Sequence, residues 1–373
     1  MSDVSTKVQQ RVQEALDDLV GSGAEVGVQV AVYHKGEQVV DAVAGAADPD
    51  TGAQVAPETL FYTSSVAKGV ASTVLHVLAE RGAIGYDTRI AEVWPEFAAH
   101  GKEKATVRHA LTHSAGVPGL PGDLTPEDLT DWQKMTGIIA DEKPWWEPGT
   151  ATGYHAISYG YIIGEIVRRV TGKPISEVLH EEVATPLGVA DELFFGAPKA
   201  ALKHVAKSVE PPYAAQMRAG MPAEFPLFKA APPAVLPTAE FANRTDILTS
   251  DIPAGGVMSA RAVAKMYAAL LGEVDGVRLV SKARLDEITT VAQTGQDQIM
   301  GFPASRGLGY DIGFMGPLNS PTLFGMAGTA GTAGYADKGS GMTIAVGKNN
   351  VTFGQFDTFN RIGEIVQKTL AEG

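Results

Sequence analysis

The stretch FYTSSVAKGV, residues 61–70, places a serine three positions before a lysine. Positions i and i+3 of a helix lie on one face, so the side chains of Ser65 and Lys68 would be within contact distance. A buried lysine holds its proton less tightly and can accept the serine proton, which makes the hydroxyl a nucleophile. Backbone N–H groups of the first helical turn would stabilise a developing oxyanion. The alternative interpretation is an ordinary helix start with a solvated lysine.

Two further segments have residues that suit the same chemistry. Tyr154 follows a glycine-rich turn and precedes an amphipathic helical pattern, so its phenol could point into a cleft. The strand-like segment FGMAGTAG, residues 324–331, has small side chains along which a substrate could lie. Each segment also has a purely structural interpretation, namely a tyrosine packed at a helix start and a strand in close contact with other backbone. The residues alone leave both interpretations open.

Other common catalytic motifs are absent from the sequence. It contains no G-x-S-x-G, no H-E-x-x-H, no P-loop and no G-x-G-x-x-G between a strand and a helix. The eight histidines show no paired metal-ligand spacing, and the absence of cysteine excludes disulfides, thiolate catalysis and cysteine-ligated metals. We therefore expect neither a metal nor a cofactor.

Composition limits the class of protein and its partners. A chain of 373 residues with 45% hydrophobic content can bury a large core, as one two-lobed domain or as two domains. The formal net charge of -13 and the lack of a basic tract argue against nucleic acid and anionic membranes as partners. The N-terminus lacks the continuous apolar run of a signal peptide or membrane anchor. We expect a cytoplasmic protein that acts on a small molecule.

Hydrophobic periodicity predicts the elements that must position these residues. A hairpin is predicted around Lys35-Gly36, where apolar and polar residues alternate on either side of a turn. Strand patterning returns over residues 322–349. An N-terminal helix would bury the residues that share one face, Val8, Val12, Leu16 and Leu19. Further helices are predicted from Ser65 to about Gly82 and at about residues 106–113, 158–171, 176–184, 260–271, 282–291 and 355–370.

The order of helix, strands, a long mostly helical middle, strands and helix predicts an α+β fold. Strands from both ends of the chain would form one antiparallel sheet, flanked by the N- and C-terminal helices, in a lobe of residues 1–62 and 300–373. Residues 63–299 would form a mostly helical lobe with long loops, and the active site would lie between the lobes. Seven prolines exclude a regular helix or a central strand from residues 210–237, which could be a lid, a pocket wall or a loop without function.

Taken together, these motifs resemble a known superfamily. The S-x-x-K sequence, the later tyrosine motif and the glycine-rich strand follow one another as in serine β-lactamases of class C, penicillin-binding DD-peptidases and, most of all, family VIII carboxylesterases. The segments VRHALTHSAGVPG, WEPGTATGYHAISYGYIIGEIVRRVTGKPI and PAGGVMSARAVAKMYAAL are similar to their counterparts there. Because the resemblance covers nearly the whole chain, it implies a β-lactamase/DD-peptidase-like fold and acyl-enzyme chemistry.

The resemblance also implies roles for individual residues. Ser65 corresponds to the acylated nucleophile, Lys68 to its base or proton partner, and Tyr154 to the residue that exchanges the proton with nucleophile and leaving group. The backbone N–H groups of Ser65 and Thr329 would form the oxyanion hole. Whether lysine or tyrosine is the base is disputed for the family. The substrate pocket is expected to include His155, Met326, Ala327 and Gly328, and Trp146 would either wall the pocket or belong to the packing of the core.

Two positions depart from the β-lactamase pattern. The Tyr-x-Asn motif is Tyr154-His155-Ala156 here, so the asparagine that binds the side-chain amide of a β-lactam is missing. The lysine of the K-T-G motif is Met326, and a neutral thioether cannot attract a substrate carboxylate. The acyl substrate is therefore expected to be uncharged near its reacting carbonyl, as in an ester, lactone or thioester.

The leading hypothesis is a carboxylesterase-like serine hydrolase that forms an acyl-enzyme on Ser65. An acyltransferase of a natural-product pathway would share the first half-reaction and differ in the acceptor of the acyl group. A β-lactamase or DD-peptidase is disfavoured by Ala156 and Met326. A non-catalytic binding protein that keeps the fold is a further alternative, for which Met326 is the best argument. The sequence does not identify the acyl group or the alcohol of the substrate, and it does not give the oligomeric state.

Overall fold

The computed structural model of the protein describes residues 3–313, 315–316 and 318–372. Its strands are β1 Gly27–His34, β2 Glu37–Asp48, β3 Ala53–Gln54, β4 Phe61–Tyr62, β5 Leu193–Phe194, β6 Val257–Met258, β7 Gln293–Gln296, β8 Pro303–Arg306, β9 Asp311–Ile312, β10 Leu323–Ala327, β11 Ala333–Asp337 and β12 Met342–Lys348. Its α-helices are α1 Asp3–Gly21, α2 Val66–Glu80, α3 Ile90–Val93, α4 Val107–Leu111, α5 Pro126–Leu129, α6 Trp132–Asp141, α7 Ser158–Thr171, α8 Ile175–Leu179, α9 Pro212–Ala219, α10 Leu227–Ala230, α11 Ala239–Ala242, α12 Thr245–Thr249, α13 Ala260–Leu271, α14 Lys282–Ile288 and α15 Asp357–Ala371. Short 3₁₀ helices span Pro95–Gly101, Lys199–His204 and Pro233–Val235, and a π-helical turn spans His180–Ala184.

Strands from two distant parts of the chain form one large antiparallel sheet. Over the described residues its order is β3-β2-β1-β12-β11-β10-β9-β8-β7. The pairing of β1 with β12, in which Val30 lies opposite Val346, joins the early strands to the late ones. The predicted α+β class and antiparallel sheet are thus confirmed. The lobe boundaries at residues 62 and 300 stay a prediction, and strand β7 of the large sheet begins at Gln293, before the second boundary. Residues 1–2, 314, 317 and 373 of the predicted sheet lobe lie outside the described residues.

The hairpin predicted at Lys35-Gly36 is confirmed. His34 lies opposite Glu37, and both turn residues have left-handed backbone, with φ of 52° at Lys35 and 85° at Gly36. A two-residue turn of this kind matches the natural twist of the strands that it joins. Strand β1 is buried on both faces over nearly its whole length, which requires a layer of helices on each side of the sheet.

Those layers come from three helices. Helices α1 and α15 pack against each other and cover one face, and α13 covers the other face along β1, β11 and β12. The side-chain oxygen of Gln29 on β1 accepts a hydrogen bond from the Ala260 N–H at 2.6 Å, which fixes the start of α13 on the sheet. Helix α1 buries the residues predicted from their spacing, Val8, Val12, Leu16 and Leu19. Burial of one such side chain contributes about 1.5–3 kcal/mol.

Helix α2 connects the sheet with the helical part of the molecule. It is buried from Val66 to Ala79 and packs against α7 and α8 on one side and β10 on another. Gly82, with φ of 74°, ends the helix as predicted, and its N–H donates to the Ala79 carbonyl at 3.0 Å. The N-terminus of α2 lies next to a small antiparallel sheet of β4, β6 and β5. The candidate nucleophile is therefore carried by a helix that is enclosed on all sides.

The proline-rich segment of residues 210–237 is neither one helix nor a central strand, as predicted. It contains α9, α10 and a 3₁₀ turn. Helix α9 begins at Pro212, and proline fits this first position because an N–H there would have no acceptor within the helix. Ala231 and Leu236 of the segment pack against Ala156 in a separate apolar cluster. The segment is therefore a wall built onto the region that follows Tyr154.

Agreement between predicted and observed elements depends on their length. Helices α7 and α13 begin and end at the predicted residues 158–171 and 260–271, whereas α14 ends at Ile288, before the predicted residue 291. Residues 176–184 form α8 and the π-helical turn. The sequence analysis predicts none of the strands β3 to β9, because two to four residues are too few for a periodic signal. Within the described residues no helix combines the length and apolar character that crossing a membrane requires.

Candidate active site

Ser65 follows a turn with unusual backbone at the N-terminus of α2. Ser64 has φ of 51°, a left-handed conformation that costs free energy for a residue other than glycine. The Thr63 N–H donates to the Gly256 carbonyl at 2.8 Å, and the Thr63 carbonyl accepts from the Thr332 hydroxyl at 2.6 Å. The side chain of Ser65 makes no capping hydrogen bond to the helix. The turn is thus tied to both parts of the fold and presents the hydroxyl of Ser65 for other contacts.

Lys68 lies one helical turn beyond Ser65 and is 0% exposed. Its Nζ is 2.8 Å from Ser65 Oγ and 3.5 Å from the Ala254 carbonyl oxygen. Burial lowers the pKa of Lys68 to about 7, an effect that the carboxylate of Asp311 opposes. A large fraction of the amine is therefore neutral near pH 7 and can accept a proton from the serine.

Tyr154 approaches the same pair from the loop before α7. The centre of its ring lies 5.0 Å from Lys68 Nζ. Burial raises the pKa of Tyr154, and a hydrogen bond with Ser65 opposes the rise. The structure thus brings together the three side chains that the sequence singled out. Because the phenol keeps its proton at pH values where the amine has begun to lose one, Lys68 is the better proton acceptor of the two.

Asp297 fixes the backbone of Tyr154 and is a residue that the sequence did not single out. One carboxylate oxygen accepts the N–H groups of Tyr154 at 3.1 Å and of Ile299 and Met300 at 2.8 Å each. The other oxygen accepts from Arg306 at 2.5 Å, and the two charged side chains are 0% and 5% exposed. Such charge-assisted bonds are strong and directional. Asp297 lies in a polar loop without a motif, so only the fold reveals its position.

His113 fixes the same loop from the opposite side. Its carbonyl accepts the Gly153 N–H and its Nδ1 accepts the His155 N–H, both at 3.0 Å. The centre of its ring lies 5.0 Å from that of Tyr154 and 4.5 Å from that of Tyr159. Burial lowers the pKa of His113 well below its usual range, so the ring is neutral. The residues on either side of Tyr154 are therefore each bonded to His113.

His155 and Trp146, expected in the pocket, do not line the cleft beside Ser65. His155 is 1% exposed, its Nε2 accepts the Val117 N–H at 3.1 Å, and its Nδ1 donates to the Gly153 carbonyl at 2.6 Å. Burial lowers the pKa of His155 to about 4, in agreement with this neutral tautomer. The Trp146 ring meets His155 edge-on, with 6.0 Å between ring centres. Both side chains thus pack behind the loop of Tyr154, and a substrate contact by either of them stays a prediction.

The end of β10 passes directly beside the Ser65 turn. A Cβ at Gly328 would lie 2.4 Å from the Thr63 carbonyl oxygen and 3.3 Å from the Ser65 nitrogen, so no larger residue fits without a shift. Thr329 comes next and lines the same cleft as Ser65. Its carbonyl accepts the Gly354 N–H at 2.7 Å. The two residues expected to supply the oxyanion hole are therefore next to one cleft.

Met326 and Ala327, also expected in the pocket, are not among the described residues that line the cleft. Met326 is 3% exposed, and a Cβ at Gly69 of α2 would lie 3.4 Å from its Cβ. Ala327 packs with the apolar cluster between the sheet, α1 and α15. Neighbouring residues of a strand point to opposite faces, which places one side chain against each layer of helices. Both residues hold the strand in place, and Gly328 acts by leaving room for the Ser65 turn.

The cleft beside Ser65 is narrow, with apolar walls and a cavity volume of about 40 Å³. No lysine, arginine, aspartate or glutamate is among its lining residues in the part of the chain that the structure describes. The described residues likewise contain no group of three histidine, aspartate or glutamate side chains that could hold a metal ion. The large apolar side chains of the walls are Leu129, Ile157, Leu227, Val235, Leu236, Phe241, Ile252 and Phe353.

Comparisons with known proteins find similar sequences and structures. The profile of the family named Beta-lactamase matches residues 9–363. The chain is 34% identical to Esterase/beta-lactamase LipL of Mycobacterium tuberculosis over 339 residues, which are 87% of this chain and 77% of that protein. A family VIII carboxylesterase has a similar structure, with a TM-score of 0.88, 31% identity and 97% of each chain covered. A penicillin-binding protein homolog from Caulobacter crescentus has a TM-score of 0.86 and 30% identity, over 99% of this chain and 98% of that one.

Replacing Asp297 by asparagine should slow turnover without removing a group from the cleft. Asp297→Asn keeps the shape of the side chain but loses the charge that pairs with Arg306, so the Tyr154 loop gains freedom. We expect kcat on p-nitrophenyl butyrate to fall about 10- to 100-fold with little change in KM. Asp337→Asn, in another buried carboxylate with several hydrogen bonds, is the control and should leave kcat unchanged. Normal kcat in a folded Asp297→Asn protein would contradict this role.

A methyl group at residue 328 should displace the Ser65 turn from the end of β10. Gly328→Ala is therefore expected to lower kcat/KM on the same ester about 100-fold or more, the size of effect seen when one oxyanion donor is lost. Gly137→Ala is the matched control, since a Cβ there meets nothing within 4 Å and should leave kcat/KM unchanged. Full activity of Gly328→Ala would show that the two backbones can separate without cost.

Proposed function

The chain belongs to the beta-lactamase family, and from this membership we propose that it is a serine ester hydrolase that carries the acyl group of its substrate on Ser65. The observation on which the proposal rests is the 2.8 Å contact between Ser65 Oγ and the Nζ of the fully buried Lys68, next to the phenol of Tyr154. The similarity to an esterase/beta-lactamase and to a family VIII carboxylesterase supports an ester as the class of substrate.

In the acylation step the neutral amine of Lys68 accepts the Ser65 proton as Oγ attacks the ester carbonyl carbon. The electron pair of the carbonyl bond moves to its oxygen, and the backbone N–H groups of Ser65 and Thr329 stabilise the oxyanion. When the bond to the alcohol breaks, the leaving oxygen takes a proton from Tyr154, and the Lys68 ammonium returns one to the phenolate. The products are an ester on Ser65 and a free alcohol, with both proton carriers in their starting states.

Deacylation reverses these roles with water as the nucleophile. Lys68 accepts a proton from the attacking water, and the same two N–H groups stabilise the second tetrahedral oxyanion. Its collapse breaks the bond to Ser65 Oγ, which regains a proton from Tyr154, and Lys68 restores the phenol. The free acid leaves, so one ester and one water become one acid and one alcohol.

The cleft favours a substrate without charge near its carbonyl. Met326 is buried against α2, and the described lining contains no lysine or arginine that would pair with a carboxylate. Ala156 lies in the wall among Ala231 and Leu236, so no side-chain amide is offered there. Penicillins and cell-wall peptides would find neither of the recognition groups that β-lactamases and DD-peptidases provide.

Acyl transfer is a second candidate, and the apolar walls favour it. Water is poorly held by a surface of leucine, isoleucine and phenylalanine side chains, which lets an alcohol compete for the acyl group on Ser65. Hydrolysis and transfer share every residue of the first half-reaction. They differ only in the molecule that occupies the cleft when the acyl-enzyme breaks down.

Ser65 should be labelled rapidly by a fluorophosphonate, and the protein should turn over p-nitrophenyl esters. Ser65→Ala should abolish labelling and lower kcat by at least about 10³-fold, and Lys68→Ala and Tyr154→Phe should each lower kcat by about 100-fold or more. Ser281→Ala is the control, because Ser281 occupies the same position at the N-terminus of α14, far from the cleft. Its labelling and turnover should equal those of the wild type.

Each contrary result points to a different alternative. An unlabelled wild-type protein without ester turnover would favour a non-catalytic binding protein. Appreciable nitrocefin hydrolysis would show that Ala156 and Met326 do not exclude β-lactams. Product analysis with 1-butanol present separates hydrolysis, which yields the free acid, from acyl transfer, which yields the butyl ester.

The pH profile should report the protonation state of Lys68. Because its pKa is lowered to about 7, the amine is protonated and unable to accept a proton at lower pH. We expect kcat/KM on p-nitrophenyl butyrate to rise through about pH 7 and to level off above it. A profile that is flat between pH 6 and 9 would exclude Lys68 as the proton acceptor.

The same lowered pKa predicts a pH-dependent stability. The unfolded chain keeps the lysine protonated up to its ordinary pKa of 10.5, so folding expels a proton between pH 7 and 10.5. The resulting penalty is complete at and below about pH 7 and disappears as the pH rises towards 10.5. Lys68→Met should therefore increase the free energy of unfolding at pH 7 by a few kcal/mol at most. Urea denaturation at pH 7 and pH 10 should show that this gain is smaller at the higher pH.

A further inference from the structure

Phe353, in the loop between β12 and α15, has a backbone conformation that costs folding free energy. Its φ is 49°, in the left-handed region that glycine and asparagine enter more easily than an aromatic residue does. Gly354, the next residue, has φ of 81°. Strained residues persist where the surrounding structure fixes them, and they are concentrated at functional sites.

Backbone contacts connect the loop of Phe353 to the loop of Thr329. The Gly354 N–H donates to the Thr329 carbonyl at 2.7 Å. A Cβ at Gly331 would lie 2.3 Å from the Thr352 hydroxyl oxygen, so the two loops touch without room for a side chain between them. Phe353 and Thr329 both line the cleft. The position of the phenyl ring relative to the expected oxyanion hole is therefore set through the backbone.

Helix α9 supplies a second contact to the ring. The guanidinium carbon of Arg218 lies 5.5 Å from the ring centre of Phe353, a cation–π distance. Arg218 is paired with Glu210, and the two side chains are 18% and 20% exposed. The amide of Gln355 approaches the sulfur of Met217 at 3.9 Å. The start of the proline-rich segment and the loop of Phe353 thus form one packed unit beside the cleft.

The ring faces the cleft from the side of the sheet. Among the described lining residues, Thr329 and Phe353 come from beyond residue 300, and the others come from residues up to Gly255. Phe353 is 8% exposed, so its ring is enclosed by its neighbours and by the cleft. It is the one bulky apolar side chain that the sheet side contributes to the described lining, opposite walls that are themselves apolar.

We propose that Phe353 is a specificity-determining residue whose ring limits the length of the unbranched apolar chain that the cleft accepts. The proposal rests on the proposed ester hydrolase activity at Ser65 and adds its selectivity. The alkyl chain whose length is limited belongs either to the acyl group or to the alcohol of the ester, because both are joined to the same reacting carboxyl group. The strained turn and Arg218 keep the ring in place, where a relaxed loop would let it move away.

The test compares the wild type with Phe353→Ala on two series of esters. p-Nitrophenyl esters from acetate to decanoate vary the acyl chain, and alkyl acetates from methyl to octyl vary the alcohol. We expect the ratio of kcat/KM for the longest to the shortest member to rise at least about tenfold in one series, because a pocket discriminates roughly tenfold or more per methylene that it cannot place. The kcat/KM for the shortest esters should stay within about threefold of wild type.

Further variants separate the ring from the backbone strain. Phe353→Gly removes both and should give the same shift as Phe353→Ala, because the ring sets the limit. Arg218→Met loosens the ring and should give a smaller shift in the same direction. Phe225→Ala is the matched control, since this phenylalanine of the proline-rich segment does not line the cleft and should leave both profiles unchanged.

The outcomes distinguish this inference from the function on which it rests. Unchanged profiles in both series for active Phe353→Ala, with normal labelling of Ser65, would overturn the inference and leave the ester hydrolase intact. A wild type that neither hydrolyses esters nor is labelled would overturn the proposed function itself. If Phe353→Ala does not fold, the same two ester series are measured with Phe353→Leu. Leucine is shorter than phenylalanine and apolar, so the chain-length profile should shift in the same direction.

Discussion

The contact of a fully buried amine with a serine hydroxyl is the interaction on which the rest of the structure depends. Burying an ammonium group costs several kcal/mol, and Lys68 avoids part of this cost because its pKa is lowered to about 7. That environment exists only while α2 is enclosed between the helices α7 and α8 and the strand β10. The packing of one helix therefore sets the protonation state that the proposed reaction requires.

Around this helix, buried polar groups position a tyrosine that lies in a loop. Asp297 and His113 bond to the backbone at and next to Tyr154, and Arg306 neutralises the buried carboxylate. These hydrogen bonds lie in a low-dielectric interior, where breaking one would leave a desolvated group behind, so the loop of Tyr154 is held rigidly. A loop can in this way hold a side chain as firmly as a helix does, while the side chain stays open to the cleft.

Long periodic elements and the serine-lysine pair could be predicted from the sequence, because both depend on neighbours within one or two helical turns. Asp297 and Phe353 could not, since their contacts join residues that are distant along the chain. His155, which the sequence analysis places in the pocket, accepts the Val117 N–H behind the loop of Tyr154, another contact between residues distant along the chain. Met326 and Ala327 lie on opposite faces of β10, Met326 next to α2 and Ala327 against the cluster that includes α1 and α15, and these contacts too join residues distant along the chain.

The order in which the chain leaves the ribosome gives the fold a further property. Ser65 and Lys68 are synthesised long before β10 and Thr329, and β10 and β11 join the sheet through β12, which pairs with β1. In a nascent chain the lysine is hydrated and protonated, so the adjacent hydroxyl is no more reactive than that of any other serine. The buried environment that lowers the pKa of Lys68 is therefore complete only when the last strands have closed the sheet beside α2.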